Sequence, residues 1–270
     1  MGASASYTLL LYLLAHEKEL DENTSFISIL DFIIKYYVRR NVTDTPNTRD
    51  LDSLTIEVVE RCNSLINEKK KIDLATIIDA HLNSSKAKPA SIDDFKKNLN
   101  DKMYVNNVGM TRYLLWKLDN ITHTREYSPD LWLRNPNNET FVWTIEHIFP
   151  EGTNIPITWI DMIANGDKAK AEEIQAEFVH TLGNLTLSAY NSSLSNRSFV
   201  DKQNLTTKKV VNSDLKIGYK NGLSLNNLQF ELDSVKYSLA TIENWTLDAI
   251  KARTKTIVDT LIEIFKFENE

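Results

Sequence analysis

Residues 142–202 constrain the chain more than any other stretch. A β-branched and aromatic run, Phe141-Val142-Trp143-Thr144-Ile145, leads into Glu146-His147-Ile148-Phe149-Pro150. A second such run, Leu185-Thr186-Leu187, follows Leu182-Gly183-Asn184. Both compositions favour strands, 141–145 pairing with 185–187, and 193–202 is read as a helix lying across them. The segment between them, 151–180, reads as an insertion with its own helix at 168–179. Only seven glycines and six prolines serve 270 residues, too few for a sandwich or barrel of many tight turns. The expected class is therefore mainly α, a helical bundle built around one short ββα unit.

Helical patterning covers most of the remainder. Residues 7–16 read as an apolar helix without a cap, already under way, so the chain is expected to begin inside a longer protein. Residues 26–40 form an amphipathic helix with Lys35, Arg39 and Arg40 towards its C-terminal end, where cations suit the helix dipole. A loop is expected at 41–49, then helices at 54–68 and 74–82. Ser91 with Asp94 reads as a capping box. Residues 110–119 and a helix begun near Thr246, with Ile250, Ile257, Leu261 and Ile264 on one face, complete the pattern. Polar breakers at 127–138 mark a loop before the first strand. We divide the chain into a helical connector, 1–135, and a second domain, 136–270, whose last helix is expected to pack back on the helical part.

Composition narrows the function classes. The one cysteine, Cys62, allows neither an internal disulfide nor a cysteine-rich zinc knuckle, so any metal has to be held by Glu, His and Asn, and a reducing, cytoplasmic setting is expected. No apolar run approaches the roughly 20 residues of a membrane span. Met1-Gly2-Ala3-Ser4-Ala5-Ser6 formally matches a myristoylation pattern, yet no basic segment accompanies it and no anchor is expected. The net charge of −6 argues against a chain that coats nucleic acid, but 191–220 carries Arg197, Lys202, Lys208, Lys209, Lys216 and Lys220 against Asp201 and Asp214. A local basic strip on an acidic body suits phosphate contact at one place; an ordinary solvated surface accounts for it equally well.

Glu-His-Ile-x-Pro, Leu-Gly-Asn-Leu-Thr-Leu and Asn-x-x-x-x-Asn-x-x-Phe-x-x-Lys, as they stand at 146–150, 182–187 and 191–202, have the layout of an HNH (ββα-metal, His-Me finger) nuclease. They resemble most the C-terminal nuclease domain of GmrSD-type, modification-dependent (type IV) restriction enzymes. The likeness reaches further. Residues 33–40 with Thr45-Pro46-Asn47-Thr48 and Leu51 are similar to that family's connector from an N-terminal NTP-binding domain. Residues 110–119 are similar to the helix before its nuclease motif, and Trp245, Ile250 and Arg253 match its ending.

The resemblance implies a DNA endonuclease that hydrolyses phosphodiester bonds with one Mg²⁺ or Mn²⁺ ion, in defence against phage. Its substrate is DNA, including modified phage DNA, and its NTP-binding domain would lie upstream of these residues. His147 is the implied general base, and Asn184 the residue that aims it by bonding to the histidine loop. Glu146 stands where many HNH enzymes have a metal-binding aspartate. Asn191 is the first choice for a carboxamide ligand and Asn196 the second; the spacing from Asn184 is shorter than usual and leaves the choice open. Lys202 is implied to contact the phosphate, with helix-surface charge as the alternative, and His180 reads as packing rather than lining the site. The competing function is an inert helical module that binds DNA or docks a partner.

Overall fold

The computed structural model describes residues 4–123, 127–208, 214–268 and 270. Met1, Gly2 and Ala3 of the myristoylation-like start and Lys209 of the basic strip lie outside the described residues. Helix dominates, and the chain divides into two compact units, Met1–Asn98 with Ile262–Glu270, and Leu99–Leu261.

The first unit carries α1 (Ser6–Ala15), α2 (Phe26–Thr43), α3 (Thr48–Asn67), α4 (Leu74–Leu82) and α5 (Ile92–Leu99). Side-chain caps start three of them. Ser25 accepts from Ser28 N, Asp73 from Thr76 N, and the Ser91 hydroxyl from Asp94 N while donating to the Asp94 carboxylate. Leu13, Ile29, Tyr36, Val58, Cys62 and Ile77 are buried in its core.

The loop expected at 41–49 shrinks to 44–47, because α2 runs on to Thr43 and α3 begins at Thr48. Arg40 bridges the gap, donating to Asp44 at 3.0 Å, to Pro46 O at 3.1 Å and to Thr48 at 2.9 Å. Arg39 is buried; it donates to Ala90 O at 2.5 Å, pairs with Glu270 and lies over the Phe267 ring. Both arginines serve helix-end charge and ion pairing within this unit.

His81 sits in the same core, edge-on to Phe32 and Tyr36, with Nδ1 2.7 Å from Ile77 O. Burial pushes its pKa down to about 4, against an ordinary value near 6.5. Between those values an unfolded chain holds a proton that the folded ring does not, so stability rises with pH there and is lost as pH falls. At about 1.4 kcal/mol per pKa unit the fall from pH 7 to 4.5 costs about 2–3 kcal/mol. Urea midpoints at the two pH values measure it; His81→Phe is expected to show a smaller drop, and an equal drop refutes the assignment.

The second unit begins with α6 (Met103–Asn106) and α7 (Val108–Thr122), the latter capped by Asn107, which accepts from Met110 N. Then come β1 (Thr144–His147), α8 (Ile157–Ala164), α9 (Lys168–Phe178), β2 (Leu185–Ser188), α10 (Asn191–Leu194) and α11 (Phe199–Asn204). The hairpin β3 (Thr206–Lys208) and β4 (Asp214–Lys216), α12 (Ser224–Asn227), the hairpin β5 (Phe230–Leu232) and β6 (Val235–Tyr237), and α13 (Leu247–Phe265) follow.

β1 and β2 are antiparallel, pairing Thr144 with Ser188 and His147 with Leu185. The first strand thus lies later than the expected 141–145 and ends on the histidine itself. The helix expected at 193–202 is two pieces: Ser195 adopts φ 38°, and Ser198 starts α11 afresh by accepting from Asp201 N. The insertion holds α8 as well as the expected α9. Phe149, Trp159, Phe199, Tyr219, Phe230 and Trp245 build the core beneath, Phe199 stacking on Trp245 at 5.7 Å.

Gly183 permits that packing. A Cβ there would stand 2.3 Å from Ile250 O and 2.7 Å from Thr254 N, so α13 approaches the 182–184 turn closer than any side chain allows.

Candidate active site

Two strand residues side by side, Glu146 and His147, are both buried at the end of β1. The polypeptide after them is held by Asn184, wholly buried in the turn that precedes β2. Its side-chain oxygen accepts from Phe149 N at 2.8 Å and from the Trp245 indole at 3.1 Å; its amide nitrogen donates to Phe149 O and Val179 O, both at 3.0 Å. Ile148 N donates to Asn184 O at 2.9 Å. One carboxamide therefore satisfies four buried partners and fixes the course of the chain just past His147. Arg253 braces the same turn from α13, donating to Gly183 O at 2.7 Å and Leu185 O at 2.8 Å. The Trp245–Arg253 pattern noted in the sequence thus has a physical basis, since both side chains grip residues 183–185.

Lys202 reaches the other side of this loop. Its ammonium is buried and donates to Glu146 Oε1 at 2.7 Å, His147 O at 3.0 Å and Ile148 O at 3.1 Å. Three acceptors match the three hydrogens of a charged ammonium, whereas a neutral amine would face one of them with a lone pair. Burial pushes the Lys202 pKa down and the Glu146 pKa up, and in each case attraction between the two opposes the shift. Tyr219 Oη also donates to Glu146 Oε1, at 3.3 Å.

Glu146, His147, Asn191 and Asn196 line one cleft of about 610 Å³, together with Tyr104, Arg112 and Glu151. Asn191 projects from the start of α10, its amide nitrogen donating to Ile145 O at 2.9 Å, which commits the nitrogen and leaves its oxygen as the free end. Asn184 and Lys202 stand behind the cleft rather than lining it. The basic strip is dispersed: Lys202 is internal, Lys220 bonds Asn204, and Lys208 and Lys216 lie exposed on the β3–β4 hairpin.

Three neighbours of His147 were not assigned to the site from the sequence. His180, read there as packing, brings Nδ1 to 3.1 Å from His147 Nε2, and Glu151 brings a carboxylate oxygen to 3.6 Å from His147 Nδ1. One ligand atom from each of His147, Glu151 and His180 lies within 4.8 Å of the other two, close enough to share a metal ion. Tyr104 stacks on His180 at 5.5 Å and meets His147 edge-on at 4.6 Å. Burial, then the proximity of His180 and Lys202, pushes the His147 pKa down to about 3, so the ring is neutral. The placement of Glu151 four residues beyond His147 was a usable signal; nothing local marks Tyr104.

The described residues contain no helix long and apolar enough to cross a membrane. No curated protein and no solved structure matches the chain. A profile of GmrSD restriction endonucleases, C-terminal domain, matches residues 90–260. That span includes the β1–β2 hairpin, the cleft, and both Trp245 and Arg253, which brace it, and it exceeds half of the 270 residues. The chain belongs to the GmrSD restriction endonuclease family through that C-terminal domain.

Proposed function

We propose that this chain is a metal-dependent DNA endonuclease of the HNH type, the nuclease part of a modification-dependent (type IV) restriction enzyme that acts in the cytoplasm against phage DNA. The observation that carries this reading is the arrangement around β1: a neutral His147 at the strand end, an antiparallel partner strand, and Asn191 and Asn196 beyond it on the same cleft. We assign the chemistry to residues 136–270 and treat 1–135 as the connector from an N-terminal NTP-binding domain.

In this mechanism His147 takes a proton from the attacking water, its backbone held by the Asn184 bracket on the loop that follows and by Lys202, which acts by positioning. The donor set suits a hard ion. Asn191 offers a carboxamide oxygen, Asn196 a second, and Glu146 the carboxylate oxygen not taken by Lys202 and Tyr219. A Mg²⁺ or Mn²⁺ ion bound there supplies charge stabilisation at the scissile phosphate and leaving oxygen. The residues of the cleft address a phosphate, which carries little sequence information, so recognition of modified bases belongs elsewhere in the assembly.

Supercoiled DNA, modified and unmodified, incubated with the protein in Mg²⁺ or Mn²⁺ tests this. Nicking is expected, with loss on chelation and in the Asn191→Ala/Asn196→Ala double variant. Products that persist in chelator, or at equal rate in the double variant, overturn the metal-dependent reading.

A further inference from the structure

The imidazole pair beside the cleft has a donor chemistry different from the amide oxygens assigned to a hard ion. His147 Nε2 and His180 Nδ1 face each other at 3.1 Å; a Glu151 carboxylate oxygen lies 3.6 Å from His147 Nδ1, and one ligand atom from each of the three residues falls within 4.8 Å of the others. Two imidazole nitrogens on one tetrahedral zinc ion, each about 2.0–2.1 Å from it, stand about 3.3 Å apart. The observed separation is within a few tenths of an ångström of that. The rings are already oriented: Tyr104 lies parallel to His180 and edge-on to His147, and its backbone N–H donates to His180 O at 3.3 Å. Glu151 is half exposed on the cleft wall, so an ion has a route in.

We propose that His147, Glu151 and His180 form a site for one borderline transition ion, Zn²⁺ foremost, and that its occupancy silences the nuclease. Imidazole with a single carboxylate favours such an ion over Mg²⁺, which prefers oxygen ligands. The silencing follows from the proposed role of His147 and rests on that reading. A neutral imidazole has one ring lone pair, and an ion that takes it leaves none for the proton of the attacking water.

Calorimetric titration of Zn²⁺ into the full chain, in Mg²⁺ and without DNA, is expected to show one tight ion. Affinity should fall more than about tenfold in His180→Ala and in Glu151→Gln, since even outer-sphere partners of a bound metal are worth that much. Imidazole NMR signals of His147 should shift on saturation. Where Mg²⁺-supported cleavage is measured, stoichiometric Zn²⁺ should abolish it in the wild type, and the fraction lost in Glu151→Gln, set against that variant's own zinc-free rate, should be smaller. Equal zinc affinity in the wild type and both variants overturns the site; unmoved His147 signals, or cleavage undiminished by bound zinc, overturn the silencing. A wild type that never cleaves in Mg²⁺ counts against the nuclease reading alone, and the variant affinities and ring shifts still decide the zinc site.

Discussion

Replacing His147 by alanine is expected to lower the cleavage rate by about 10²- to 10⁴-fold, the usual worth of a positioned general base. The size follows from what the surroundings do to the ring. Burial and the nearby Lys202 ammonium disfavour the imidazolium, so the lone pair is present without any need to lose a proton first. The loop after His147 is held through backbone atoms of Ile148 and Phe149, none of which depends on the histidine side chain. The variant should therefore keep its fold, which circular dichroism checks, while losing activity measured as plasmid nicking under single-turnover conditions. Equal rates for variant and wild type would remove His147 from the mechanism and, with it, the HNH assignment.

Periodicity located the helices well because each amphipathic face has a core to bury. The expected runs at 26–40, 74–82 and 110–119 correspond to α2, α4 and α7, and the Ser91–Asp94 box opens α5. Element edges were harder to read where side chains, rather than backbone propensity, decide them. Arg40 carries α2 and α3 almost into contact across 44–47, and Ser198 restarts a helix that Ser195 had interrupted. The eight residues of α8 escaped notice because four buried apolar positions, Trp159, Ile160, Ile163 and Ala164, make too short a stripe to separate from a loop.

The site divides along a similar line. Residues within the 142–202 stretch share a local frame, and Glu146, His147, Asn191 and Asn196 do come together on one cleft. Tyr104 reaches the same place from α6, and His180 from the end of the insertion, through tertiary packing that has no period in the sequence. The depth of Lys202 was invisible for the same reason: a lysine at a helix position reads as surface until the partner that neutralises it is known.

That partner makes Lys202→Met the substitution with the largest expected effect on stability. The methionine fills a similar volume but leaves the Glu146 carboxylate buried without its cation, and leaves His147 O and Ile148 O without a donor. Breaking a buried pair from one side typically costs about 3–5 kcal/mol. At roughly 2–4 °C per kcal/mol for a chain near this size, the melting temperature should fall by about 10 °C. Replacing both partners, in Lys202→Met/Glu146→Leu, removes the stranded charge and should recover much of the loss, because a buried ion pair exchanged for apolar residues is often near neutral. A direct phosphate contact by Lys202 predicts the opposite pattern, a variant as stable as the wild type with weakened DNA binding. Thermal melts of the two variants, set beside their DNA affinity, separate these outcomes; an unchanged melting temperature in Lys202→Met would refute the buried clamp.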